Sequence, residues 1–203
     1  MTSIVPSSAP ASAVPATTPR WRVNLVASLL RQEAVIAYPT EGVWGLGCIP
    51  ESKLAVSRIL KLKQRSWEQG LILVASDIEQ FAPYLEGLGD DDLDILESSW
   101  PGPVTYLVPD NGYCPMWIKG RHNTVALRVS DHPVICDLCD QLDSPLVSTS
   151  ANRAGKSPAM NVFEVRQKFA GEIDALVPGK LGSHKGASEI RDLTSGDIIR
   201  SSR

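Results

Sequence analysis

The chain has 203 residues, 43% of them hydrophobic and 21% charged, with a formal net charge of −3. That is the make-up of a globular domain long enough to bury its own core. The charge balance excludes wholesale electrostatic binding to nucleic acid, though not a local basic patch, and no apolar run approaches the roughly 20 residues that span a bilayer.

Met1 to Pro19 is almost wholly Ser, Ala, Pro, Thr and Val. It has neither the positive n-region nor the unbroken apolar stretch of a secretory signal, and no arginine precedes Arg20, unlike a transit peptide. Such a composition cannot offset the entropy of ordering. Residues 1–20 are therefore expected to be a disordered tail and residues 21–203 one folded domain.

Trp21 to Arg31 sets Val23, Val26, Ala27 and Leu30 at helical spacing, a stripe that predicts an amphipathic helix packed on a sheet. An apolar, β-branched run from Ala34 ends at Pro39 and predicts a buried strand feeding the polar turn Thr40-Glu41-Gly42. The apolar patch behind it is broken by Gly45 and Gly47, small residues that let another group approach the backbone. Polar residues at the carboxyl end of a buried strand stand where open α/β sheets bind ligands.

Ser52 to Lys63 predicts a second helix, its last lysines suited to the negative end of the helix dipole. Gly70 to Ala75 is a short continuous apolar run, hence a buried strand. Ser76-Asp77-Ile78-Glu79 has capping-box spacing for a helix towards Tyr84, and the acidic turn Gly87–Asp92 leads into another helix ending near Trp100. Trp100-Pro101-Gly102-Pro103 is a rigid corner before a strand over Val104–Val108. Thr124–Val129 is a strand in which Arg128 interrupts an apolar pattern.

Asp131-His132-Pro133 predicts the start of a helix to about Leu142, with proline suited to its first turn. Pro145-Leu146-Val147 begins a strand that runs into Ser148-Thr149-Ser150-Ala151-Asn152. Asn161 and Glu164 form a cap pair for a last helix to Phe169. Ser188–Arg203 reads as a strand, a Ser-Gly-Asp turn and a basic tail. Strands and helices alternate irregularly, which predicts an α/β fold on a twisted mixed sheet.

Three clusters carry chemistry. Lys63 and Arg65, two apart at a helix end, could reach a common anion from a loop but not from a regular helix face. Ser148–Asn152 offers hydroxyls, an amide and backbone N–H groups, which hold phosphate oxygens without carrying charge. A long cation such as Arg128 is seldom buried unpaired, and its partner is a carboxylate either of the chain or of a ligand. No Walker-type loop, dinucleotide-binding glycine fingerprint or H-E-x-x-H zinc motif is present. Of Cys48, Cys114, Cys136 and Cys139, only the last two have C-x-x-C spacing. With no second pair or histidine pattern, packing cysteines in a reducing, cytoplasmic setting are expected rather than a metal or redox centre.

Taken in order, several pieces resemble the YrdC-domain family in its short bacterial form. They are Tyr38-Pro39-Thr40-Glu41 with Gly45-Leu46-Gly47, Lys61-Leu62-Lys63-Gln64-Arg65, Trp100-Pro101-Gly102-Pro103-Val104-Thr105, Val125-Ala126-Leu127-Arg128-Val129, Ser148-Thr149-Ser150-Ala151-Asn152 and Ser188-Glu189-Ile190-Arg191-Asp192. The likeness runs over about residues 22–200. It implies a twisted open α/β sheet with a large concave cavity in a single catalytic domain. It also implies threonylcarbamoyl-AMP synthesis from L-threonine, bicarbonate or CO2, and ATP, feeding other proteins that modify tRNA.

By that resemblance Lys63 and Arg65 clamp the ATP phosphates as catalytic residues. Ser150 and Asn152 face the nucleotide, with Thr105, Ser148 and Arg200 as further ATP contacts, while Thr40 and Arg128 hold threonine. Mg2+ is expected to arrive with ATP, without a dedicated protein site. Two other readings remain at this stage: a double-stranded-RNA-binding factor of ribosome maturation on the same fold, possible contact with tRNA included, and a carbamoyl-adenylate former acting on another amine. The chain departs from the family at Gly42, where Thr is frequent, at Trp44 in place of Tyr, at Ser66, where proline is common, and at Ala75, where many members carry histidine.

Overall fold

The computed structural model describes residues 18–184 and 186–201, so the tail expected over residues 1–20 lies outside the described residues up to residue 17. Thr18 is buried, and Arg20 already opens helix α1 (Arg20–Arg31). That helix buries Val23, Val26, Ala27 and Leu30, the stripe its spacing predicts.

Strand β1 (Ile36–Pro39) pairs antiparallel with β2 (Trp44–Cys48), Tyr38 standing opposite Gly45. The glycine-broken apolar patch is thus a strand in its own right. Its second glycine has a steric cause: a Cβ on Gly47 would stand 2.6 Å from the Val147 carbonyl oxygen and 2.7 Å from Tyr38 Cε1.

Helix α2 (Lys53–Lys63) starts at Ser52, whose Oγ accepts the Ala55 N–H at 3.0 Å, and stops at Gln64 in the left-handed region with φ 53°. Strand β3 (Ile72–Ala75) follows. The capping box expected at Ser76–Glu79 does not form. Asp77 caps instead, accepting from the Glu79 N–H at 2.9 Å, while the Ser76 hydroxyl turns to Asp140. What it starts is a 3-10 turn over Ile78–Phe81 and one helical turn, α3 (Ala82–Leu85).

Helix α4 (Asp90–Ser99) carries three aspartates in its first turn, where its dipole favours negative charge. After the cis Trp100–Pro101 bond come β4 (Val104–Pro109), the single turn α5 (Met116–Lys119) and β5 (Thr124–Val129). One turn leaves no sequence period, which is why α5 went unforeseen. Helix α6 (Pro133–Leu142) is capped by His132, and β6 (Leu146–Ser150) runs into the Ser-Thr-Ser stretch.

Helix α7 (Val162–Phe169) has the expected reciprocal cap. Asn161 Oδ1 accepts the Glu164 N–H at 3.0 Å, and Asn161 Nδ2 donates to Glu164 Oε1 at 2.7 Å. The two-residue β7 (Ala175–Leu176), β8 (Glu189–Asp192) and β9 (Ile198–Arg200) complete the sheet. What read as a basic tail therefore contains a sheet-edge strand.

The nine strands run in the order β7-β1-β2-β6-β3-β5-β4-β8-β9. The pairs β1–β7, β3–β5 and β4–β8 are parallel and the rest antiparallel, giving the mixed sheet that the irregular alternation predicts. Period two along β1 splits the core between the two faces. Ile36 and Tyr38 join Val23, Leu30, Ile135 and Leu138 under α1 and α6, whereas Val35 and Ala37 join Ile59 and Phe81 on the other side. Leu146 and Val74 belong to the α1–α6 side, so Ser148, Ser150 and Arg128 (opposite Val74) share that face. The cavity opens there.

Candidate active site

The cavity has a volume of about 650 Å³, within the range of ligand pockets. Its wall takes Thr40 and Glu41 from the β1–β2 turn, Arg65 from the loop after α2, Arg128 from β5, and Ser148 and Ser150 from β6. Ser188 comes from the segment just before β8, Arg191 from β8 and Arg200 from β9. Residues distant in the chain converge here because antiparallel β6 lies between β2 and β3.

Arg128 finds its carboxylate within the chain. Nη1 lies 3.0 Å from Glu41 Oε2, an ion pair whose geometry is not that of a hydrogen bond, with both side chains more than nine-tenths buried. Glu41 Oε1 accepts from the Ser130 hydroxyl, and Ser130 Oγ accepts the His132 N–H at 3.1 Å. Burial alone would raise the Glu41 pKa. The Arg128 charge and the Ser130 bond more than offset this and hold its carboxyl below the ordinary range. Arg128 Nε is buried with no hydrogen-bond partner among the described residues, and Arg128 is part of the cavity lining. A buried guanidinium with an unused donor is costly unless a ligand accepts it.

Lys63 and Arg65 part company at the α2 terminus. The left-handed Gln64 turns Lys63 inward, where Nζ donates to the Ser150 carbonyl at 2.5 Å, the Asn152 carbonyl at 3.1 Å and Asn152 Oδ1 at 3.2 Å. Ser150 Oγ donates to the same Asn152 Oδ1 at 2.6 Å. Burial, assisted by the Arg65 charge, lowers the Lys63 pKa to about 8. Arg65 stands in the wall, with Nη2 on the Gln69 and Gly70 carbonyls at 3.2 and 2.9 Å and its buried Nε without a hydrogen-bond partner among the described residues.

On the opposite wall Arg200 donates to the Ser188 carbonyl at 2.7 Å through Nη2 and at 3.2 Å through Nε. Thr105 is fully buried and sits behind Ser188, its Oγ1 2.9 Å from that hydroxyl. Thr40 closes its own turn by donating to the Val43 carbonyl at 2.7 Å, and its carbonyl accepts the Gly182 N–H at 3.0 Å.

The structure thus places Thr40, Arg65, Arg128, Ser148, Ser150 and Arg200 around one cavity, with Lys63 and Asn152 behind Ser150 and Thr105 behind Ser188. Glu41, Ser130 and Ser188 escaped sequence reasoning. Only the Glu41 carboxylate, next to Thr40, carried a signal, as one of the two possible kinds of partner for Arg128. The carboxylates on the wall, Glu41 and Glu189, are ion-paired to Arg128 and Arg191. No group of three or more His, Cys, Asp or Glu among the described residues could hold a metal ion.

The Sua5/YciO/YrdC family profile, described as "Telomere recombination", matches residues 28–202. A protein of Cellvibrio japonicus called threonylcarbamoyl-AMP synthase is 51% identical over 181 residues, covering 89% of this chain and 96% of its own. This chain belongs to the Sua5/YciO/YrdC family.

Within that family, the structure of P. abyssi Sua5 complexed with L-threonine superposes with a TM-score of 0.83 at 28% identity, covering 90% of this chain and 54% of that one. E. coli YciO shares the fold at a TM-score of 0.81 and 23% identity, over 93% of this chain and 92% of that one. The departure at Gly42 from the threonine frequent in the Sua5/YciO/YrdC family has a local cause. A Cβ there would lie 2.0 Å from the Gly186 carbonyl oxygen, so the segment before β8 packs where a side chain would stand.

Proposed function

We propose that this chain is a threonylcarbamoyl-AMP synthase, making threonylcarbamoyl-adenylate and pyrophosphate from L-threonine, bicarbonate or CO2, and ATP for the modification of tRNA. The observation that carries this reading is Arg128, buried in the cavity wall with its Nε unpartnered among the described residues, in a chain half identical to a synthase of that name.

The chemistry asks for positioning and charge neutralisation more than for a strong base. The threonine amine attacks CO2 and loses a proton, giving a carbamate. A carbamate oxygen then attacks the α-phosphorus of ATP, and pyrophosphate leaves with the electron pair of the broken P–O bond. Arg128 receives the threonine carboxylate beside Thr40. Arg65 reaches the phosphates from the wall, and Lys63 backs Ser150 and Asn152 on the nucleotide side. Ser148 supports the same wall, while Thr105 and Arg200 act from the opposite side through Ser188. Mg2+ travels on the phosphates of ATP, whose charge it neutralises, because the wall carboxylates are already paired.

The product is a reactive mixed anhydride and is taken up by proteins that transfer the threonylcarbamoyl group to tRNA. No helix among the described residues is long and apolar enough to cross a membrane. We place the chain in the cytoplasm, in keeping with the free cysteines of the described residues.

The test is pyrophosphate release from Mg–ATP by purified protein, with threonine and bicarbonate supplied together, singly or not at all. Release that needs both is the expected result. No release under any condition, with salt-sensitive binding of double-stranded RNA that nucleotide does not compete away, would replace this reading by the RNA-binding one.

A further inference from the structure

The buried ion pair in the cavity wall does more than satisfy a charge. Glu41 and Arg128 together are neutral, so the pair has little net Coulomb attraction for an anion. What it presents is a direction. Glu41 engages the guanidinium at Nη1 and is itself held through Oε1 by Ser130, and Nε has no hydrogen-bond partner among the described residues. Both side chains are more than nine-tenths buried, so water does not screen this arrangement. Ser130 is fixed in turn by the His132 backbone at the start of α6.

From this geometry we propose that Glu41 is a positioning and specificity-determining residue for the amino-acid substrate. It holds Arg128 in place in the cavity wall that both residues line, and its negative charge biases the pocket to an amino-acid zwitterion over simple carboxylate anions. The proposal rests on the synthase reading given above. Its physical basis is a difference between two ligands. Both zwitterion and anion need the oriented guanidinium, but only the net anion is repelled by Glu41. Neutralising Glu41 therefore removes orientation for both and repulsion for one.

The probes are L-threonine and 3-hydroxybutyrate, which is threonine without its amino group, with binding measured by calorimetry and turnover by pyrophosphate release. Glu41→Gln is expected to weaken threonine binding about tenfold, the scale of one oriented charge-assisted hydrogen bond, while the KM for ATP stays within about twofold. The threonine-to-3-hydroxybutyrate affinity ratio is expected to fall by about tenfold or more on the same scale. A folded Glu41→Gln protein that keeps the wild-type ratio overturns the proposal, as does one in which both ligands and ATP weaken alike.

Because removing one member of a buried pair can unfold a chain, Ser130→Ala supplies a second test that keeps the charge. It should raise the KM for threonine about threefold, less than a whole charge-assisted hydrogen bond because the ion pair with Arg128 still holds Glu41, and leave the ratio unchanged. A wild-type KM for threonine in Ser130→Ala overturns the positioning role. Absence of threonine-dependent release in the wild-type protein strikes at the synthase reading instead, so the two failures are distinct.

Discussion

Arg65 and Lys63 leave α2 in different directions, so their substitutions should differ in kind. Arg65 stands on the wall and, among the described residues, is held by the Gln69 and Gly70 carbonyls. Arg65→Ala is expected to lower kcat/KM for ATP by about a hundredfold or more, as when a donor to a developing charge is removed, with an unchanged melting temperature. Near-normal turnover in that variant would refute the phosphate-clamp role.

Lys63 has three acceptors behind Ser150, and burial lowers its pKa from 10.5 to about 8. The ammonium is lost as pH rises through about 8, so kcat/KM for ATP should decline there and Lys63→Ala should flatten that limb. Stability moves the other way. Between about 8 and 10.5 the unfolded chain holds a proton that the folded one has released, so the folded state gains as pH rises across that window. For Glu41 the folded pKa is depressed. Its contribution is present above the ordinary carboxylate range and lost as pH falls through the folded value.

At the scale of elements, the β1–β2 hairpin depends on residues without side chains. Gly47 lets the Tyr38 ring and the Val147 carbonyl occupy the place of a Cβ. Gly47→Ala should cost about 1–3 kcal/mol, the usual cost of overpacking, read as a lowered urea midpoint. Gly42→Thr restores the residue frequent in the family, yet its Cβ would fall 2.0 Å from the Gly186 oxygen. The segment before β8 must then move, carrying Ser188 off the wall, and the KM for ATP should rise; an unchanged KM would show that this packing is irrelevant to nucleotide binding. At α7, Asn161→Ala removes a reciprocal cap and should cost about 1 kcal/mol without touching activity.

At the scale of the whole molecule, the cavity joins strands from both halves of the sheet, so ligands should stabilise the fold as a unit. ATP at about a hundred times its Kd adds about 2.7 kcal/mol, or roughly 5–10 °C in Tm for a domain of this size. A calorimetric scan with and without nucleotide measures it. The cysteines should stay silent. Burial raises all four thiol pKa values, that of Cys136 to about 11, and none of the four is in a disulfide. Mass spectrometry after alkylation of the native protein near neutral pH should find little label, because the thiolate is the reactive form.

By itself the sequence determined the local features: the stripe of α1, the extent of α2, the strand over Thr124–Val129 with its one cation, the Asn161–Glu164 cap, and the ordered motifs that mark the family. These are written in neighbours three or four residues apart, or in alternation, where side-chain direction follows from backbone period. Tertiary structure decided the rest. The capping box at Ser76 lost to Asp77 because Asp140, 64 residues on, takes the serine hydroxyl. The two-residue β7 and the edge strand β9 exist only through their partners in the sheet. Arg128 left the choice of carboxylate open in the sequence. Glu41, 87 residues earlier and brought opposite only when β5 and the β1–β2 turn meet across the sheet, settled it, because a charge buried on a strand must pair with whatever the fold places beside it.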